Sequence, residues 1–298
     1  MKKFILLFIT IIPFLCTSSA NNLNYIENTS INLVINSGKV SLSSPIIISD
    51  SNILFPLKEM CEKLSLPLDN LTWDKGSQAV KIIYKNKELI FKINSNIAKI
   101  NNLEVLIPCT PVLYKNQTYI PIRTLNEFLD YFTIWDESSK TIFIKNAKDY
   151  FETNAFFSGL NSVVSNVYDV QIDVINEINN ASFGNSIYID TRTNQIMEKN
   201  ILNNTWHESS IKLTNSTSLE EINYLSTLSC GMNLNNKLSS ESHYVYEGYF
   251  PAKTGRLIYG KLYINAINLY IEKMITETET NLGKLKQNVI FRYGDCLV

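Results

Sequence analysis

The sequence predicts an α+β protein: a tandem β-hairpin/helix module followed by an antiparallel β-rich domain with a leading helix. One observation is an internal repeat, because the segment 54–74 recurs as 119–136 with a strand, a proline, an apolar-periodic run and Trp-Asp. A second is the alternation of apolar and polar residues beyond residue 167, which is typical of half-buried strands. The 298 residues are 45% hydrophobic, which suits a globular chain of two domains of ~100–200 residues each.

The first 20 residues have the pattern of a secretory signal peptide. Two lysines precede the apolar run 4–15, and small residues end the segment at Ala20. We predict cleavage after Ala20. Cys16 suggests acylation as an alternative, but the bulky Phe14 and Leu15 before it do not suit lipoprotein processing. The expected location is extracytoplasmic, secreted or associated with a bacterial cell surface.

No later segment approaches the ~20 consecutive apolar residues of a membrane span. The formal net charge is −1, without a block of like charge, which argues against a nucleic-acid partner. Four cysteines remain after cleavage, and an exported chain permits the pairs Cys61–Cys109 and Cys230–Cys296. Alternatively, Cys61 and Cys109 are small core residues. The chain has no CxxC motif that would indicate a zinc or redox site.

The first unit of the repeat contains strands and one helix. The strands are predicted at 31–35, 45–48, 53–55 and 79–84, with a hairpin turn at 49–52. Pro56 opens the helix, since proline is tolerated at a helix start. The apolar residues Leu57, Met60, Cys61 and Leu64 follow at helical spacing and predict its buried face.

The second unit repeats this order. Strands are predicted at 107–113, 118–120 and 141–144, and a further hairpin at 88–93 and 98–100 lies between the units. Pro121 opens the second helix, with Ile122, Leu125 and Leu129 facing inward.

The repeated motif resembles the copper amine oxidase N-terminal-like (stalk) domain, which is common in exported bacterial proteins. The matching residues are Pro121-Ile122-Arg123, Glu127 and Trp135-Asp136, and then Pro56-Leu57-Lys58, Glu62 and Trp73-Asp74, with Lys58 in place of the usual arginine. The resemblance covers 31–146. The oxidase reaction of that family needs three histidine copper ligands, whereas this chain has two histidines, His207 and His243, so amine oxidation is excluded.

The motif supplies candidate binding residues. Trp73 and Trp135 could stack on a sugar ring, with Asp74 and Asp136 accepting hydrogen bonds from its hydroxyls, and Arg123 lies on the same motif. In the alternative interpretation, each tryptophan fills the helix–sheet core and each aspartate caps the following turn. Repetition favours this structural interpretation, because a position kept for folding is kept in every copy.

The second domain, 150–298, is predicted to begin with a linker and helix over 149–164. Strands follow at 167–174, 186–190, 195–199 and 243–250, with Trp206 on a further strand, a helix start at Ser218, a strand through 277–279 and a final strand at 288–293.

The segment Gly260-x-Leu262-Tyr263-Ile264, followed by Tyr270-Ile271-x-Lys273-Met274, resembles the lipoprotein-carrier-like β half-barrels of bacterial envelopes. That resemblance implies a concave sheet face that can hold an acyl chain. The aromatic residues that could line such a cavity, or simply fill it, are Tyr188, Trp206, Tyr244, Tyr246 and Tyr249.

Catalytic motifs are absent from the sequence: it has no nucleophile elbow, phosphate loop or HExxH. We therefore predict a non-enzymatic protein without cofactor or metal. The leading hypothesis is an envelope-associated binding or spacer protein, in which the stalk-like module positions the β-rich domain. The alternative is a carrier of a lipid or other apolar ligand, and a hydrolase of cell-wall glycan is a third. Cell-wall glycan and an envelope protein are the other candidate partners.

Overall fold

The computed structural model describes residues 25–49, 52–164, 167–193, 195–200, 203–209, 225–252 and 255–294. The predicted signal peptide, the helix start at Ser218 and Cys296 lie outside these residues. The described chain is mostly antiparallel β-sheet rather than evenly α+β. None of its helices is long and apolar enough to cross a membrane.

The first module has fourteen strands among the described residues. They are β1 Ile26–Asn28, β2 Asn32–Ile35, β3 Gly38–Val40, β4 Ile46–Ser49, β5 Asn52–Pro56, β6 Leu71–Asp74, β7 Ala79–Tyr84, β8 Lys87–Lys92, β9 Ile97–Ile100, β10 Leu103–Leu106, β11 Val112–Tyr114, β12 Gln117–Pro121, β13 Tyr131–Asp136 and β14 Thr141–Asn146. They form three sheets, in the orders β1-β4-β5-β12-β11, β10-β9-β8-β7-β6 and β13-β14-β2-β3.

Both predicted motif helices are confirmed. Helix α1 spans Leu57–Lys63 and α2 spans Ile122–Phe128, and each begins directly after its proline, whose φ is −65° or −67°. A 3-10 helix, Leu68–Asn70, follows only the first of them. The predicted inward positions Met60, Cys61 and Leu125 are fully buried, because the apolar periodicity directs them into the common core.

The two units are joined by a pseudo-two-fold pairing. Strands β5 and β12 are antiparallel, with Phe55 opposite Ile120, so equivalent positions of the two copies face each other. Strand β2, at the start of the module, pairs in parallel with β14 at its end. The module is therefore closed by long-range pairing, and neither copy buries its apolar face alone.

Of the two interpretations of Cys61, the disulfide with Cys109 is wrong and the small core residue is confirmed. The Cys61 thiol is free and fully buried in the core, and burial, aided by the negative charge of Glu62, raises its pKa to about 12. It therefore behaves as a small apolar residue. The proposed partner of Cys230 lies outside the described residues.

The second domain begins without a linker. Helix α3, Ala147–Val164, starts at the residue after β14 and confirms the predicted leading helix. Its other described elements are β15 Asp169–Ile178, β16 Ala181–Asp190, β17 Gln195–Lys199, β18 Trp206–Glu208, helix α4 Leu225–Gly231, β19 Met232–Leu234, β20 His243–Pro251, β21 Leu257–Asn265, β22 Ile271–Thr280 and β23 Gly283–Tyr293.

The nine strands form one half-barrel sheet in the order β18-β17-β16-β15-β23-β22-β21-β20-β19, and every pairing is antiparallel. The alternation of apolar and polar residues thus predicted the strand type. It did not predict that β15, the first long strand, pairs with β23, the last.

Two glycines bring the domains into close contact. A Cβ on Gly248, whose φ is +151°, would overlap the carbonyl oxygen of Gly231 and touch Ser37 of the first module. A Cβ on Gly231 would overlap the carbonyl of Tyr249 and the ring of Phe143. Only glycine allows the backbones to approach this closely.

Candidate functional site

The C-terminal sheet has two chemically different faces. We call inner the face on which α3 and α4 pack. It carries Tyr246, Leu262 and Met274, which stand opposite one another on β20, β21 and β22. The same register continues through Val289 on β23 to Val174 on β15. Because side chains alternate along a strand, this register assigns the faces of the neighbouring residues, up to the bulge between β21 and β22 at Tyr263 and Ile264.

The two helices cover one end of the inner face. Phe157 and Leu160 of α3 and Leu228 of α4 are buried against Tyr246 and Leu262. Phe156 stacks on Tyr246, with ring centroids 5.0 Å apart. This end of the sheet is therefore a packed core between helices and strands.

Further along the inner face, apolar side chains are less enclosed by α3 and α4. We call these residues the inner stripe: Val174, Ile178, Phe183, Met274 and Leu285. Val174, Met274 and Leu285 are half-buried, and Phe183 is 57% exposed. One amide pair crosses the stripe, since Gln287 Nε2 donates to Asn176 Oδ1 at 2.9 Å. An apolar surface with a few fixed polar groups is the usual composition of a small-molecule site.

The predicted cavity aromatics do not lie together on this stripe. Tyr246 is on the inner face but is buried under α3, and desolvation raises its pKa to about 12. Trp206 pairs with Lys199 at the sheet edge on the opposite, outer face, where the Lys199 ammonium lies 5.8 Å from the indole ring. Tyr188 and Tyr249 also face outward, and Tyr244 lies beside Tyr246.

The structure agrees with the structural interpretation of the Trp-Asp pairs for the aspartates and disagrees with it for the tryptophans. Trp73 is 42% exposed and Trp135 39%, so the interpretation that they fill the core is wrong. The aspartates do cap turns. Asp74 accepts hydrogen bonds from the backbone N–H of Gly76 and from Ser77, and Asp136 accepts from Ser138 and Ser139.

Arg123 and Glu127 are both exposed on α2 and line a small pocket of about 280 Å³ with Lys87 and Leu106. The ion pairs of the described residues do not include one between them. The motif therefore places this arginine at a surface, away from the second domain's inner stripe.

The two histidines are in unequal surroundings. His207 is exposed on β18. His243 lies between Ser242 Oγ, 2.9 Å from Nδ1, and Glu272 Oε2, 2.6 Å from Nε2. Hydrogen bonds from Asn265 and then His243 hold the pKa of Glu272 below its ordinary value. Ser242 is the residue adjacent to His243 in an exposed turn, so these bonds tie the turn to β22.

A buried lysine at the domain junction was not predicted as a special residue. Lys145, on β14, has no exposed surface, and its Nζ donates to the carbonyls of Ser229 (2.9 Å) and Met232 (2.6 Å) and to Thr153 Oγ1 (3.0 Å). Desolvation lowers its pKa to about 8, against the opposing field of Asp149. The lysine thereby connects the first module to α3, α4 and β19.

Comparison with known proteins covers the two halves separately. Residues 34–144 match the family model of the copper amine oxidase N-terminal domain. No curated protein matches the chain. Among the residues that the structure describes, no group of three or more His, Cys, Asp or Glu side chains is arranged to hold a metal ion.

Several solved structures are similar to about half of the chain. The lipoprotein LppX of Mycobacterium tuberculosis matches 49% of this chain and 97% of its own, with 10% identity and a TM-score of 0.32. LprF of Mycobacterium bovis matches 49% and 95%, with 8% identity and a TM-score of 0.27. A LolA superfamily protein of Nitrosomonas europaea matches 45% and 90%, with 9% identity and a TM-score of 0.21. Similarity at this level identifies neither a ligand nor an activity.

Proposed function

We propose that this protein is a non-catalytic carrier in which the inner stripe of the C-terminal sheet binds an apolar ligand, with the first module as its mount. The half-exposed apolar side chains of the stripe are the observation that supports the proposal. Exposed apolar surface is costly in water and commonly marks a binding surface. Val174 and Met274 lie in one row across the sheet, both next to Val289, and Leu285 lies on the same face beyond Gln287, so the apolar residues come from three strands.

The ligand that suits this surface is a chain-like molecule with one polar end. An acyl chain would lie along the apolar side chains, with about 0.8 kcal/mol gained for each buried CH₂. The Gln287–Asn176 amide pair provides a donor and an acceptor for a carbonyl or hydroxyl of the ligand.

The first module is suited to hold the carrier domain in a fixed orientation. Strand β14 runs into α3 without a linker, Lys145 joins both domains, and Gly248 packs against Ser37. Together with the signal-peptide pattern of residues 1–20, this organisation supports a role outside the cytoplasm, at a cell envelope.

The proposal is tested by titrating the chain with a fluorescent fatty acid whose emission rises in an apolar environment. Two pairs of substitutions provide matched controls. Val174→Gln and Met274→Gln add polarity to the inner stripe, whereas Ile175→Gln and Ile275→Gln change the next residue of each strand on the outer face.

The inner-face variants should weaken probe binding at least tenfold, and the outer-face variants should bind as the unchanged protein does. Circular dichroism spectra verify that all four fold. Equal effects of the inner and outer substitutions, or no saturable binding of the probe, would contradict the proposal.

A further inference from the structure

The first module contains an open groove of about 1140 Å³ beside α1. Its apolar lining includes Leu57, Leu71 and Trp73. Its polar lining comes from distant parts of the chain: Ser41, Ser43, Ser44, Glu62, Asn116, Gln117 and Thr118. The groove therefore combines one aromatic ring with hydroxyl, amide and carboxylate groups.

Trp73 is available to a ligand in a way that Trp135 is not. Like Trp135 on β13, Trp73 lies on an edge strand of its sheet, β6, and it is 42% exposed against 39% for Trp135. Its indole N–H donates to no residue that the structure describes, whereas Nε1 of Trp135 donates to Glu137 Oε2 at 2.7 Å. The motif is the same in both copies, but only the first presents the ring together with a free donor.

The chain explains this difference between the copies. Trp73 follows Pro56 by 17 residues and Trp135 follows Pro121 by 14, so the first copy is longer by three residues. The 3-10 helix Leu68–Asn70 occupies this additional length, and Leu68 lines the groove. The corresponding pocket beside α2 is about 280 Å³, and Trp135 does not line it.

The charges of the groove nearly balance. Glu59 accepts hydrogen bonds from the backbone N–H groups of Ser43 and Ser44, which hold its pKa below the ordinary value in spite of burial. Lys58, Lys63 and Glu62 form no ion pair with a described residue. Such a surface suits a ligand rich in hydroxyls and without a strong charge of its own.

We propose that this groove binds an oligosaccharide, with one pyranose ring packed on Trp73. A pyranose has an apolar C–H face that fits an indole ring, and its hydroxyls are matched by the serine, asparagine, glutamine and glutamate side chains of the polar lining. The site is distinct from the inner stripe, so it gives the first module a binding role in addition to that of a mount.

A proline-rich peptide is the other extended ligand that packs on aromatic residues. Such peptides dock in grooves lined by several aromatic rings, and Trp73 is the sole aromatic residue among those that line this groove. The observations therefore favour the sugar.

The test is calorimetric titration of the full chain with chitotetraose, with cellotetraose and with a proline-rich peptide. Trp73→Ala should reduce the affinity for at least one of the two sugars by tenfold or more, and Glu62→Gln should reduce it by a smaller factor. Trp135→Ala is the matched control, because its ring is equally exposed in the second copy, and it should bind as the unchanged chain does.

Binding of either sugar should also change the fluorescence of Trp73 in a chain in which Trp135 and Trp206 are replaced by phenylalanine. Absence of binding by both sugars, equal losses for Trp73→Ala and Trp135→Ala, or binding of the peptide alone would overturn the proposal. None of these outcomes depends on whether the inner stripe binds an apolar ligand.

Discussion

The free energy of unfolding of the unchanged protein should increase with pH above neutral pH, and replacing Lys145 by methionine should remove this increase. The folded state holds the ammonium without exposed surface, and desolvation lowers its pKa from 10.5 to about 8. Between these two pH values the unfolded chain binds the proton and the folded chain does not. The free energy of unfolding therefore increases as the pH rises through this window.

The magnitude follows from the two pKa values. At about 1.4 kcal/mol per pH unit, the whole window corresponds to roughly 3 kcal/mol. About 1 kcal/mol of this falls between pH 7 and pH 9. Methionine fills a similar volume, so the packing against α3 and α4 is largely kept.

The assay is urea denaturation of both proteins at pH 7, 8 and 9. Cys61, whose pKa is raised, opposes the trend, since a thiol that titrates more readily in the unfolded chain reduces stability as the pH rises. This contribution is common to both proteins and cancels in their difference. Parallel dependence of the two unfolding free energies on pH would refute the argument.

Three further pairs of measurements follow. Gly248→Ala should lower the free energy of unfolding by more than 3 kcal/mol or prevent folding, because the added Cβ would overlap a backbone carbonyl. Gly159→Ala, on the exposed side of α3, should raise the free energy of unfolding by about 0.5–1 kcal/mol. Equal effects of the two substitutions in thermal denaturation would contradict this. Asp136→Ala should lower the free energy of unfolding by about 1–2 kcal/mol and Asp74→Ala by less, because the turn that Asp136 caps is half-buried and the turn that Asp74 caps is exposed. The reverse order in urea titrations would be inconsistent with this reasoning. Glu272→Gln should lower the free energy of unfolding at pH 7 by up to about 1 kcal/mol. Because the folded-state pKa of the Glu272 carboxyl is lowered from 4.5, this difference should vanish as the pH falls below 4.5 through that pKa. A difference that persists at acid pH would disprove the assignment.

Local signals made the two helices of the first module predictable. A proline followed by apolar residues at helical spacing predicted α1 and α2, each of which begins one residue after its proline. The same applies to the aspartate caps, because the hydrogen bonds of Asp74 and Asp136 remain within the next three residues. The strand predicted at 107–113 is wrong, because residues 107–111 lie between β10 and β11. The parallel pairing of β2 with β14 joins strands about a hundred residues apart, and no local pattern indicates it.

The placement of individual side chains was less predictable, for two reasons. Lys145 reads as an ordinary polar strand residue, and only the packing of α3 and α4 on β14 buries it. From the sequence, Trp73 and Trp135 are interpreted as core residues because the motif is repeated, and a position kept for folding is kept in every copy. Trp73 instead lies on an edge strand, close to the three-residue extension of the first copy. The sequence shows this extension, but it does not show how the extension shapes the groove.

The candidate site shows the same limit. Periodicity predicted strands around Trp206 and Tyr246, yet the face that each residue occupies depends on the register of the whole sheet. A register shift of one residue moves a side chain to the opposite face. The register places Trp206 outside and Tyr246 under α3, and it leaves aliphatic residues such as Val174 and Met274 as the less enclosed part of the inner face.

The most direct test of the carrier proposal is native mass spectrometry of the full chain, produced with residues 1–20 as the predicted export signal, followed by extraction with organic solvent. The proposal predicts a protein mass increased by an acyl-chain molecule, which the extraction removes and which the Val174→Gln variant fails to retain. A mass equal to that of the bare polypeptide, unchanged by extraction and by added fatty acid, would contradict it.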